Sequence, residues 1–160
     1  MVDTAHVDEF KIAAGHYATG VVAVTSLSDE GPLGFTCQTF TSLSLDPLLV
    51  SFSATHGGSS WPKILAEGIV AINVLSNEQT QVANALARSG SEKFAGVSWA
   101  PGENGCPLIT GALATIEGSI LDVARYGDHD IAIIGVDSFS ASRGEPLLYF
   151  RGNFGTYSSE

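Results

Sequence analysis

Gly34-Phe35-Thr36-Cys37-Gln38-Thr39-Phe40-Thr41-Ser42-Leu43-Ser44-Leu45-Asp46-Pro47-Leu48-Leu49-Val50-Ser51-Phe52-Ser53 is a hydroxyl-rich run that passes through a turn into an apolar one. Thr36, Thr39, Thr41, Ser42 and Ser44 offer neutral donors and acceptors beside Phe35 and Phe40, a mixture suited to a planar ligand with polar edges. Asp46-Pro47 marks the turn, and Leu48 to Phe52 has the composition of a buried strand. The run reads as a binding loop mounted on a sheet.

Upstream, Phe10, Ala13, Ala14 and Tyr17 recur at helical spacing after a candidate Asp8 cap, with Gly20 placed to end the helix. Val21 to Leu27 then predicts a strand, and Ser28-Asp29-Glu30-Gly31-Pro32 a turn that returns Leu33 to Thr36 beside it as a hairpin. Downstream of the strand Leu48 to Ala54, Gly57-Gly58 frees the backbone and Ser59 or Ser60 can cap a helix with Pro62 in its first turn. Such a start suits either an ordinary cap or an anion, with Lys63 nearby as a counter-charge.

Ile69 to Leu75 reads as another buried strand, and Ser76-Asn77-Glu78-Gln79 as a capping box opening a helix through about Arg88, with Val82, Ala85 and Leu86 inward. Lys93-Phe94 follows, a cation beside an aromatic that could meet the phosphate and ring ends of one ligand. Trp99, in a proline-bounded loop, fits a core residue as well as a ligand contact. Ala112 to Tyr126, Ile131 to Phe139 and Leu147 to Arg151 predict strands, separated by turns at Gly127-Asp128 and Arg143 to Pro146. Strands in hairpin order with few helices predict a mainly β fold, a closed antiparallel barrel with Greek-key-like connections. No Gly-x-Gly-x-x-Gly follows a strand, which argues against a doubly wound nucleotide fold.

A length of 160 residues with 44% apolar content predicts one domain over residues 1–160. With 17 acidic against 7 basic residues the formal charge is -10, which gives no electrostatic footprint for nucleic acid or an anionic membrane. Neither a secretory leader nor a bilayer-spanning apolar stretch is evident, so a cytoplasmic location is the expectation. Cys37 and Cys106 form no metal-ligand or redox doublet, and His6, His16 and His56 show no metal-ligand spacing, so no metal is expected.

The Gly34 to Leu48 run resembles the flavin reductase family, the split-barrel reductase components of two-component monooxygenases. The family pattern Gly-x-Thr-Ala-(Asn/Ser)-Ser-Phe-x-Ser-(Val/Leu)-Ser-x-(Asp/Glu)-Pro-Pro precedes a strand; Cys37 stands here where Ala is usual and Gln38 where Asn or Ser is usual. The likeness continues in order through Thr19-Gly20-Val21-Val22, Ser59-Ser60, Asn73-Val74-Leu75, Lys93-Phe94-Ala95-Gly96, Gly127-Asp128-His129 and Pro146 to Gly152, covering nearly the whole chain.

The resemblance implies a six-stranded split antiparallel β-barrel, a homodimer, and hydride transfer from NADH or NADPH to FMN or FAD. It implies flavin contacts at Thr36, Cys37, Gln38, Thr39, Ser42, Ser53, Ala54, Ser59, Ser60, Lys93 and Phe94, with the two serines at the phosphate. It places His129 at the nicotinamide, whereas the local chemistry alone fits a hairpin turn in which Asp128 satisfies the backbone. A separate monooxygenase that takes the reduced flavin is the implied partner. Hydride transfer needs no protein nucleophile, in keeping with the lack of a Ser/His/Asp pattern. Two other readings stay open: a flavin carrier or sensor without turnover, and a split-barrel flavin oxidase.

Overall fold

Residues 3–159 are described by the computed structural model; Met1, Val2 and Glu160, part of the expected single span, lie outside them. The elements in order are α1 (Thr4–Ala14), β1 (Thr19–Gly20), β2 (Val22–Ser28), β3 (Gly31–Cys37), β4 (Thr41–Leu45) and β5 (Leu48–Thr55). There follow α2 (Trp61–Glu67), β6 (Ile69–Val74), α3 (Thr80–Ala87), β7 (Trp99–Pro101), β8 (Pro107–Ile109), β9 (Ala114–Tyr126), β10 (His129–Ala141), β11 (Leu147–Phe150) and β12 (Asn153–Thr156). Seven strands make one antiparallel sheet in the order β3-β2-β6-β9-β10-β5-β4, β1 joins β11 and β12, and β7 pairs with β8.

The expected hairpins form, β2 with β3 from Val22↔Cys37 to Ser28↔Gly31 and β9 with β10 from Ala114↔Ala141 to Tyr126↔His129. Period-two alternation turns Val50, Phe52 and Ala54 of β5, and Asp130, Ala132 and Ile134 of β10, into the interior. β2 is buried on both faces. Val22 and Val24 enter the barrel core with Phe52, Ile64 and Ile72, while Val21 and Ala23 pack outside it with Leu75, Leu86 and Leu147. Each of the valines contributes about 1.5–3 kcal/mol when fully buried, so this wall anchors both clusters.

The sheet curls until β3 and β5 face each other across a seam that side chains close. Phe35 meets Phe52 edge to face at 5.9 Å, and the Trp61 ring lies 6.3 Å and 5.6 Å from the two. Just past β3, the Thr39 hydroxyl accepts the Ser53 N–H at 2.8 Å and donates to the Ser53 carbonyl at 3.1 Å. This is the split antiparallel barrel expected, with β5 crossing over through α2 to β6 in Greek-key manner.

Three local expectations need correction. The main sheet has a seventh strand, β4, because Thr41 to Leu45 folds back through Asp46-Pro47 to pair with β5; hydroxyl content had marked it as loop. α1 is capped by Asp3, whose carboxylate accepts the Ala5 N–H, and it ends at Gly15, so Gly20 falls in β1. Asp8 instead pairs with Lys11 at 3.5 Å, and α1 buries no residue, leaving Phe10 70% and Tyr17 80% exposed. In the Ser76 to Gln79 box only the reciprocal half is made, Gln79 Oε1 accepting the Ser76 N–H at 3.0 Å, and the regular helix begins at Thr80.

The barrel wall leaves no room at Gly118 in β9, where an added Cβ would lie 2.0 Å from the Gly135 carbonyl oxygen of β10. A backbone oxygen cannot swing aside as a side chain can. Gly118→Ala is expected to destabilise the fold by about 1–3 kcal/mol, read as a fall in the urea midpoint with an unchanged slope.

Candidate functional site

Four segments converge on the end of β3. A cleft of about 180 Å³ is lined by Thr36 of β3, Ala54 and Thr55 of β5, Gly58, Ser59 and Ser60 before α2, and Arg88, Ser89 and Lys93 after α3. A wider hollow of about 510 Å³ takes Gln38, Thr39 and Phe40 with Phe10, Ala14 and Tyr17 and with Tyr149 of β11. Thr36 therefore faces one opening and Gln38 and Thr39 the next.

Several of these polar groups already have partners within the chain. Thr36 donates its hydroxyl to the Ala83 carbonyl, tying β3 to α3. Cys37 is buried, its thiol 3.1 Å from the Thr39 hydroxyl and 3.7 Å from the Ser53 carbonyl, and burial pushes it above the usual thiol range. Thr39 is taken up by Ser53, as described for the seam.

Ser60 stands at the cap position of α2, yet its hydroxyl makes no capping bond; it donates to the Gly34 carbonyl at 2.8 Å. The expectation that either serine caps the helix by its side chain is corrected for Ser60 on this point. Ser59 is exposed on the cleft.

Lys93 is buried, with Nζ donating to Gly34 O at 3.2 Å, Ser60 Oγ at 3.0 Å and Leu86 O at 3.3 Å. All three acceptors are neutral, and desolvation lowers its pKa from the ordinary lysine value. Phe94 lies against Gly34, where an added Cβ would be 3.0 Å from the ring, and meets Trp99 edge to face at 6.5 Å. Trp99 thus packs on Phe94 and leaves its ligand role without support. Ser42 joins neither cleft; it sits on an apolar groove with Leu45, Leu48, Leu49 and Phe139.

His129 opens β10 directly after the Gly127-Asp128 turn, where Gly127 takes φ +60. Its ring is 47% exposed, with Nδ1 2.7 Å from Asp128 Oδ1, a contact that holds the Asp128 carboxyl below its usual range. The next residue was missed by sequence reading. Asp130 is buried and gathers the Trp61 indole N–H at 2.8 Å, His56 Nε2 at 2.7 Å and Arg125 Nε at 3.5 Å. The indole hydrogen bond first, and then the imidazole, lower its pKa from the ordinary carboxylate value. An acidic residue at an inward position of a strand was the available signal, since such a group needs donors. Arg88 and Ser89 were also missed; a cation at the end of a helix that reaches the binding loop was their signal.

No group of three or more His, Cys, Asp or Glu residues that could hold a metal ion occurs among the described residues. The site is a set of hydrogen-bonding and cationic groups on the lip of a barrel, a class of arrangement suited to holding planar, phosphorylated ligands. Residues 14–158 match the flavin reductase like domain, and the chain belongs to that family.

The reductase subunit HsaB of a flavin-dependent monooxygenase from Rhodococcus jostii is 40% identical over 146 residues, 91% of this chain and 75% of that protein. Nitrilotriacetate monooxygenase component B from Mycobacterium thermoresistibile superposes with a TM-score of 0.94 at 34% identity, covering 98% of this chain and 89% of that one. The NADH:FAD oxidoreductase SgcE6 of Streptomyces globisporus, in complex with NAD and FAD fragments, gives 0.92 at 31% identity over 99% and 96%.

Because the Asp130 carboxyl is held below its unfolded pKa, its contribution is present above the unfolded value and lost as pH falls through the lower folded one. Asp130→Asn should therefore be less stable than the parent at neutral pH, with the gap narrowing as pH falls through that window. Urea unfolding from pH 7 down to pH 3 measures it.

Proposed function

We propose that this chain is an NAD(P)H:flavin oxidoreductase, one flavin reductase-like domain over residues 1–160. It passes hydride from NADH or NADPH to FMN or FAD and releases the reduced flavin to a separate monooxygenase. The family membership supports the class of reaction, and the cleft between Thr36, Ser59 and Arg88 is the single observation that carries the assignment to this site. A flavin bound there supplies a ring that accepts hydride, and the protein's share is to bring two planar ligands into register.

The donor set fits a phosphorylated flavin. Arg88, Ser59 and Ser89 line the cleft, and buried Lys93 adds positive potential beneath it without having to leave its three acceptors. In a chain with a charge of -10, one arginine and one lysine at the same cleft are a concentration of cations worth assigning. Gln38 is exposed on the adjoining hollow and offers an amide to a ring edge, while Cys37, Thr39 and Ser53 shape the seam from below. His129, at the rim on the paired strand, serves the nicotinamide by a hydrogen bond or ring contact; hydride transfer asks no proton of it.

A homodimer is part of this reading, supported by α1, which buries nothing within its own chain. Among the described residues no helix is long and apolar enough to cross a membrane.

Purified protein should oxidise NADH or NADPH only when FMN or FAD is added, followed at the nicotinamide absorbance band. A folded, flavin-binding sample with no such turnover would instead identify a carrier.

The two serines should separate. Ser59→Ala should weaken FMN relative to riboflavin, which lacks the phosphate, by roughly threefold to tenfold, with the thermal midpoint unchanged. Ser60→Ala should cost about 1–2 kcal/mol of stability, since it strips an acceptor from buried Lys93 and a donor from Gly34. Flavin titrations paired with thermal unfolding check both.

A further inference from the structure

The turn that carries His129 projects beyond the barrel core: Arg125 to His129 are all exposed, and Asp130 is the first buried residue on the return strand. Left to itself, such a hairpin tip moves freely, because its own contacts are local. His129 has only the exposed Asp128 carboxylate as a side-chain partner among the described residues. The ladder already pairs the His129 backbone with Tyr126 of β9 and Thr55 of β5, and further bonds fix the turn residue before it and the carboxylate after it.

His56, at the end of β5, makes those further bonds on both sides. Its backbone N–H donates to the Asp128 carbonyl at 3.0 Å, and its ring Nε2 lies 2.7 Å from Asp130 Oδ1. Those two residues are the immediate neighbours of His129, so His56 straddles it, while the preceding Thr55 stands opposite His129 in the ladder. The grip is itself braced. Gly57 N–H bonds the Thr55 hydroxyl and Gly58 N–H the Thr55 carbonyl, closing a tight turn around His56. On the other side, the Trp61 indole fixes the second oxygen of Asp130, and Arg125 approaches the first.

We propose that His56, acting through Asp130 and the Asp128 backbone, is a positioning residue for His129 and sets the affinity for the reduced nicotinamide. This rests on the reading of His129 as the nicotinamide residue. The sequence held His56 in no recognisable setting, and neither its ring nor Asp130 lines the two clefts of the flavin end. Trp61, on the other oxygen of Asp130, does line the flavin cleft, so the flavin constant is the control that separates an effect through His129 from one through Trp61.

The test is steady-state kinetics of His56→Ala, His56→Gln, His129→Ala and the double variant His56→Ala/His129→Ala, varying NADH or NADPH and flavin separately. His129→Ala should raise the nicotinamide Michaelis constant roughly tenfold and leave flavin affinity within about twofold. His56→Ala should raise the same constant roughly threefold to tenfold, with turnover at saturation little altered. Glutamine, whose amide nitrogen reaches about where Nε2 lies, should restore most of the loss. In the double variant the two effects should not add, because a grip on an absent imidazole has no further consequence. If His56→Ala does not fold, His56→Phe keeps the ring volume without its nitrogens and takes its place.

No change in His129→Ala overturns the nicotinamide reading and this proposal with it. A change in His129→Ala with none in His56→Ala, full additivity in the double variant, or equal losses for nicotinamide and flavin each overturn the positioning role alone.

Discussion

The carbonyl of Gly34 is the point on which the cleft end of this barrel depends. The Ser60 hydroxyl and the Lys93 ammonium both donate to it, so β3, the approach to α2 and the segment after α3 are joined at one oxygen. A side chain at residue 34 would push against the Phe94 ring. The lack of one lets the ring close over the strand. A buried ammonium is costly unless its protons are used, and here all three acceptors are fixed by backbone or by a neighbouring hydroxyl. The geometry is therefore decided before any ligand arrives, and the exposed groups on the cleft, Ser59 and Arg88, make no side-chain hydrogen bond among the described residues.

The same division runs through the other polar groups. Those that the sequence offers as ligand contacts split into a set engaged in building the walls, Cys37, Thr36, Thr39, Ser60 and Lys93, and an exposed set that faces solvent, Gln38, Ser59 and His129. Fixed walls with a few exposed donors suit a reaction whose chemistry belongs to the ligands, since the protein need supply only orientation. Asp130 plays at the β9–β10 turn the part that Gly34 plays at the cleft, one acceptor group on which several elements close.

Much of this was legible in the sequence because the deciding signals are local. The apolar run Leu48 to Phe52, the turn chemistry of Ser28 to Pro32 and of Gly127-Asp128, and the absence of a dinucleotide fingerprint together point to an antiparallel barrel. What escaped is what depends on distant pairing. Thr41 to Leu45 becomes a strand beside β5, and the short Ser-Leu-Ser-Leu alternation within it is outweighed locally by its hydroxyl content. His56 and Asp130 are 74 positions apart and acquire meaning only when β10 docks on β5. Ser60 has the residue type of a cap, but its hydroxyl accepts from Lys93 and donates to Gly34, partners that local propensity cannot foresee.

α1 carries a consequence for the time domain. An amide is protected from exchange with solvent by the least costly opening that exposes it. In β2, buried on both faces, that opening is the loss of the barrel itself. In α1 it is the breaking of a few helical bonds, because no side chain is buried and the Arg151 N–H to the Gly15 carbonyl is one of few ties to the body. Labelling in heavy water would thus divide one chain into two clocks, a helix that exchanges at the pace of fraying and a wall that waits for global unfolding. Whatever slows the first clock without touching the second has covered α1.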